Sequence, residues 1–383
     1  MSVTAAAGFR AAGVAAGLKS SGAPDVALVV NDGPSAAAAA VYTANRCKAH
    51  PVLWSEQASA DGAVRAVVLN SGGANCYTGP EGFATTHATA ERVADLVTVS
   101  AGDVVVCSTG LIGDLLDRDR LLAGVDAAAA ALAADGGPDA AAAIMTTDTH
   151  PKQAVAHGSG WTVGGMAKGA GMLAPALATM LVVLTTDADV DAAACERALR
   201  RAAWVTFDRL DSDGCMSTND TVLLMASGAS GVTPSDAEFD QAVRTVCHQL
   251  AQQLMRDAEG AEHDIAIEVR GARSEADAVD VGRAVARSNL FKAAIFGQDP
   301  NWGRILAAAG TTTAAFDPQV LDVAMNDVWI AKGGQPGESR DLVDLSARDV
   351  HVVVDLHAGD ASATVWTNDL THAYVHENSA YSS

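Results

Sequence analysis

The run Gly164-Gly165-Met166-Ala167-Lys168-Gly169-Ala170-Gly171-Met172-Leu173 leads through Ala174-Pro175-Ala176-Leu177 into Ala178-Thr179. Directly after it comes the apolar stretch Met180-Leu181-Val182-Val183-Leu184. An apolar run of this length, entered from glycine and proline, reads as a buried strand. Thr179 then stands behind a small residue at the mouth of that strand, with Lys168 upstream on a flexible loop. A threonine so placed suits nucleophilic chemistry. Cutting the bond before it would leave a new α-amine within reach of its own hydroxyl as a general base. The alternative on this local pattern is a threonine that only starts a strand.

Outward from this stretch, short apolar runs alternate with alanine-rich helical segments. Val26–Val30, Ala63–Leu69, Asp103–Cys107 and Thr221–Met225 read as strands, and Ile265–Val269 as a half-buried one. Ala36–Val41 reads as small-residue packing. Helices are expected near Leu121–Asp135, Pro138–Ile144 and Asp191–Ala203, with a long one over Asp236–Ala258. In the last, Phe239, Val243, Val246, Leu250 and Leu254 recur at helical spacing. Beyond Ser274 the expectation is shorter strands and turns, as in Asp349–Leu356. We expect an α+β fold with a catalytic domain over 1–273 and a smaller C-terminal domain over 274–383.

With 383 residues, 49% hydrophobic and 19% charged, the chain has the composition of a globular protein with a large core. A formal charge of −21 argues against nucleic-acid binding, which needs clustered Lys and Arg. Met172–Leu184 is the longest apolar stretch, too short for a membrane span and interrupted by Pro175 and Thr179. The six cysteines lack Cys-x-x-Cys spacing and read as reduced, mostly buried thiols of a cytoplasmic protein.

Four further segments carry polar chemistry. Cys107-Ser108-Thr109-Gly110-Leu111-Ile112-Gly113 follows a strand; its turn either opens a capped helix or aims N–H groups at developing negative charge. Met145-Thr146-Thr147-Asp148-Thr149-His150-Pro151-Lys152 is a dense hydroxyl and carboxylate patch that either binds a polar substrate or ends a helix. The run from Asp211 to Thr221 starts like a calcium loop but has Met216 and Val222 at its sixth and twelfth positions, so a structural turn is expected. Phe296–Arg304 reads as a binding loop or a packed corner.

Taken together, these segments resemble the ornithine acetyltransferase family of arginine biosynthesis. The resemblance is carried by Cys107–Gly113, Met145–Thr149, Lys168–Met172 through Ala178–Met180, Ser217–Thr221 and Asp299–Arg304, in the family's order along nearly the whole chain. It implies a layered α/β/β/α sandwich of the self-processing aminopeptidase and ornithine acetyltransferase type. It also implies self-cleavage between Ala178 and Thr179 into an α chain of 1–178 and a β chain from 179.

Thr179 would be the nucleophile, and Thr109 and Gly110 the oxyanion hole. Thr146, Lys168, Thr179, Glu259, Asn378 and Ser383 would contact substrate. The implied reaction moves acetyl from N2-acetylornithine to glutamate without metal or organic cofactor, with acetyl-CoA as a possible second donor. The implied assembly is a heterotetramer of two α and two β chains. Two departures are Gly73, where relatives often have asparagine, and the Ser382-Ser383 end, where many end in threonines. A self-processing aminopeptidase or amidohydrolase is the rival enzyme reading, and a non-enzymatic small-molecule binder the other.

Overall fold

The structure is a computed structural model, and it describes residues 2–172 and 180–380. Two sheets stacked face to face form its centre. The first has the order β1 (Phe9–Val14), β2 (Val26–Asn31), β4 (Ala66–Asn70), β5 (Val104–Ser108). The second has the order β3 (Ala38–Tyr42), β9 (Thr221–Ala226), β8 (Leu181–Thr186), β7 (Thr162–Lys168), β6 (Lys152–His157). Within these sheets β4–β5 and β8–β9 run parallel and the remaining pairs antiparallel. Each parallel pair needs a crossover, supplied by α2 (Gly79–Val97) and α5 (Ala192–Val205) respectively.

The strands are apolar on both faces because both are covered. Val29, Leu69, Val105 and Cys107 meet Met166, Leu181, Val183, Leu223 and Met225 in the layer between the sheets. Their alternate neighbours Leu28, Val68, Val104 and Val106 pack beneath α2 and α3 (Arg118–Ala130). On the far side Val182, Leu184, Val222 and Leu224 pack beneath α5 and α6 (Asp236–Arg256). The period-2 alternation of side chains thus builds the expected α/β/β/α stack. Burying each such Val or Leu contributes about 1.5–3 kcal/mol. Two shorter helices, α1 (His50–Ala58) and α4 (Gly137–Ala143), close the edges.

A third sheet has the order β13 (Gln335–Pro336), β12 (Val328–Lys332), β11 (Asp322–Met325), β14 (Asp349–Asp355), β10 (Asp264–Ala272), β15 (Ala361–Asn368). It shares a core with α7 (Glu275–Ala286), α8 (Asn289–Phe296) and α9 (Trp302–Ala309). The α+β fold class is as expected, and Asp349–Leu356 supplies strand β14, but the three helices come first and were not anticipated after Ser274. Their alanines and valines are buried at helical spacing, which a strand-based reading passed over. β10 pairs with β14 and β15, so it belongs to this third sheet although it precedes position 273. α10 (His372–Ala380) lies last and buries none of its described residues.

Two local readings are corrected. Ala38–Tyr42 is a strand paired with β9, although its alanines have low strand propensity. Gly164, Gly165 and Lys168 belong to strand β7, where a flexible loop was expected. The glycines are there for space. A Cβ at Gly164 would come 2.3 Å from the Ser2 carbonyl oxygen, and one at Gly165 within 3.0 Å of Val246 and Leu250 on α6. Glycine in this strand marks close approach of another backbone and a helix.

Candidate active site

Strand ends from both central sheets converge on one cleft. It is lined by Thr109, Gly110, Thr146, Thr147, Lys168, Gly171, Met172, Glu259 and Asn378. Six of the residues expected at the site, Thr109, Gly110, Thr146, Lys168, Glu259 and Asn378, therefore stand together, although 269 positions separate Thr109 from Asn378 in the chain. Ala178, Thr179 and Ser383 lie outside the described residues.

Thr109 and Gly110 leave the end of β5 and enter a loop; the helix that the sequence allowed here begins only at Arg118. The Thr109 N–H donates to the Asn70 carbonyl at 2.9 Å. Thr109 and Gly110 both line the cleft, and among the described residues the Gly110 N–H has no backbone acceptor. Gly110 has φ +132°, and a Cβ there would sit 2.8 Å from Gly73 Cα. Both facts require glycine at 110. Gly73, the departure noted above, is the residue against which this turn rests.

Lys168 closes β7 on the face turned toward the first sheet, in step with Met166. Lys168 is 1% exposed, and its ammonium donates to the Thr109 hydroxyl at 3.2 Å. That leaves the hydroxyl hydrogen of Thr109 to donate onward. Burial pushes the Lys168 ammonium below the ordinary lysine range; Lys152 adds to the push, while Asp148, Asp220 and Glu259 pull back. Judged from sequence, a lysine in a glycine-rich run is a solvated charge; here it is one of the most buried side chains.

The patch from Met145 to Lys152 is divided in its roles. Thr146 lines the cleft, and Thr147 Oγ1 donates to Glu259 Oε1 at 2.7 Å. Glu259 is delivered just beyond the end of α6, and its N–H donates to the Ala170 carbonyl at 3.0 Å. Asp148 accepts from the Thr146 N–H at 2.9 Å, the Gly169 N–H at 2.7 Å and Lys152 Nζ at 2.6 Å. Burial alone would raise its carboxyl, but Lys168, Lys152 and the Gly169 N–H outweigh it and bring it to about 2. Lys152 also donates to Asp257 at 2.5 Å, so this ammonium is satisfied within the protein.

The Ser217–Thr221 segment does more than turn the chain. Asn219 Nδ2 donates to the Ala74 carbonyl at 2.6 Å and to the Ser108 carbonyl at 2.8 Å, pinning the loops on either side of the Thr109–Gly110 turn. The sequence reading gave Asn219 no role beyond a structural turn; the available signal was a polar cluster immediately before an apolar strand. Phe296–Arg304 resolves as a packed corner joining α8 to α9, with Arg304 donating to the Leu290 carbonyl.

Fold and cleft together define a four-layer α/β/β/α protein with a hydroxyl, a backbone amide and a buried ammonium meeting between the sheets. That is an arrangement suited to acyl transfer. Residues 10–383 match the ArgJ family. An arginine biosynthesis bifunctional protein ArgJ from Streptomyces coelicolor is 66% identical over 383 residues, spanning all of both chains. Another, from Mycobacterium leprae, is 57% identical over 389 residues, covering 100% of this chain and 96% of that one. Among solved structures, an ornithine acetyltransferase complexed with ornithine from Mycobacterium tuberculosis is 58% identical, covering 47% of this chain and 96% of that chain with a TM-score of 0.45. The chain belongs to the ArgJ family.

Proposed function

We propose that this chain cuts itself before Thr179 and then transfers acetyl from N2-acetylornithine to glutamate. The observation that carries the reading is the meeting of Thr109, Gly110, Thr146, Lys168, Glu259 and Asn378 at one cleft. In the cut, the Thr179 hydroxyl attacks the Ala178 carbonyl, the peptide C–N bond breaks and an ester forms. Water hydrolyses that ester, leaving a carboxylate on Ala178 and a free amine on Thr179.

In transfer, Thr179 Oγ attacks the acetyl carbonyl with its own α-amine as base. The Thr109 hydroxyl and the Gly110 N–H stabilise the developing oxyanion, where a fixed donor acts most strongly. The acetyl C–N bond breaks, and the proton taken from the hydroxyl leaves on the ornithine amine. The glutamate amine then attacks the acetyl-threonine ester and restores the hydroxyl. Lys168 and Glu259 offer opposite charges to an amino-acid substrate, Asn378 lines the cleft, and Ser383 is proposed as a further substrate contact.

Acetyl-CoA as a second donor, a heterotetramer of two α and two β chains, and a cytoplasmic location belong to the same reading. Among the described residues no helix is long and apolar enough to cross a membrane. The test is an assay of acetyl appearance on glutamate with N2-acetylornithine or acetyl-CoA as donor. Transfer to glutamate in clear excess of acetate release is expected. Acetate release that ignores glutamate would favour the amidohydrolase reading instead.

A further inference from the structure

Across the second sheet, Lys168, Leu181 and Thr221 lie in one row, at the end of β7 and the starts of β8 and β9. One step before that row, Met180 faces Asp220. Asp220 Oδ1 accepts from the Met180 N–H at 3.0 Å, and the Met180 carbonyl accepts from the Thr221 N–H at 3.2 Å. The backbone of the residue after Thr179 is thus held on both sides by the β9 entry. Without Asp220, the Met180 N–H would be a buried donor at the edge of the ladder with no partner among the described residues.

We propose that Asp220 is a positioning residue for the chemistry of Thr179. Its carboxyl oxygen holds the Met180 N–H, and through it the strand that carries the nucleophile. This rests on the proposed role of Thr179. Asp220 itself is fully buried, and its backbone carbonyl accepts from the Thr43 N–H at 3.1 Å. Burial raises the side-chain carboxyl well above its ordinary range, only partly offset by the Met180 N–H, Ser217 and Lys168. What the bond to the Met180 N–H needs is an acceptor oxygen at the right distance. An amide oxygen serves equally.

The experiment follows splitting of the full-length chain by intact mass in wild type, Asp220→Asn, Asp220→Ala and Thr179→Ala, with kcat and KM measured on whatever splits. Asp220→Asn should split and turn over close to wild type. Asp220→Ala should split at least about tenfold more slowly, the loss expected for an orphaned buried donor. Its split fraction should show lowered kcat with KM for both substrates little changed, because the cleft residues are untouched. If Asp220→Ala does not fold, Asp220→Ser, which is too short to reach Met180, is read the same way.

Normal splitting and kcat in Asp220→Ala overturns the proposal. So does an Asp220→Asn variant as impaired as Asp220→Ala, since that would mean the acid itself reacts. Thr179→Ala separates the two ideas. If Thr179→Ala still splits, the nucleophile assignment fails. If it blocks splitting while Asp220→Ala does not, only the inference about Asp220 fails.

Discussion

The hairpin of β6 and β7 carries two buried lysines, and their surroundings differ. Lys152 opens β6 opposite Ala167, on the face covered by α6, and two carboxylates take its charge: Asp148 at 2.6 Å and Asp257 at 2.5 Å. Lys168 closes β7 on the opposite face, and its named hydrogen bond goes to a neutral hydroxyl, Thr109. One ammonium is neutralised where it stands. The other lines the cleft, and among the described residues that hydroxyl is its hydrogen-bond partner. A one-residue offset in a pleated strand is enough to turn a structural cation into a site cation.

The largest effect should come from Thr179, the proposed nucleophile. Thr179→Ala is expected to abolish both splitting and transfer, because both steps use the same hydroxyl. Thr179→Ser should keep some of each. Intact mass and the acetyl-transfer assay read the two outcomes, and substantial transfer by Thr179→Ala would mean another residue attacks.

The lysines themselves should separate stability from activity. Lys152→Met leaves Asp148 and Asp257 buried without their shared cation and should cost about 3–5 kcal/mol in denaturant unfolding. Lys168→Met should cost less stability but lower kcat/KM on the order of a hundredfold. Equal losses of stability in the two variants would dissolve the distinction. Thr109→Ala, which removes the partner of Lys168, should lower kcat by on the order of a hundredfold while moving KM less. A raised KM with unchanged kcat would place Thr109 in ground-state binding.

How much of this contrast the sequence reveals depends on the kind of signal. Apolar runs such as Val26–Val30 and Thr221–Met225 become β2 and β9 because their pattern is local. The heptad-like spacing of Phe239, Val243, Val246, Leu250 and Leu254 becomes the buried side of α6 for the same reason. β7 was illegible because its glycines answer to neighbours distant in sequence, Ser2 and α6. The burial of Lys168 follows from that strand and was hidden with it. The residues of the cleft came from resemblance, since no local pattern links Thr109 to Asn378. Asp220 and Asn219 were read as a turn because their partners, Met180, Ala74 and Ser108, lie on other elements.

Smaller effects test the edges of the comparison. The Asp148 carboxyl is held at about 2 against an ordinary 3.8, so its contribution is fully present above pH 4 and lost as pH falls through 2. That contribution is about 2 kcal/mol. Between pH 5 and pH 2 wild type should therefore lose more stability than Asp148→Asn, measured by urea unfolding. An identical pH dependence would place the Lys152 pairing elsewhere. Smallest in stability should be deletion of 378–383. α10 buries none of its described residues, so melting should barely move, while KM rises through loss of Asn378 from the cleft. Unchanged kinetics would remove the tail from the site.

The central claim is that an acetyl group rests on Thr179 between two substrates. The most direct measurement mixes split protein with N2-acetylornithine in the absence of glutamate, quenches rapidly and weighs both chains. The account predicts that the chain beginning at Thr179 is heavier by one acetyl group, and that adding glutamate discharges it as N-acetylglutamate. Steady transfer with no acetylated chain at any time, or an adduct that decays equally fast with and without glutamate, would contradict it.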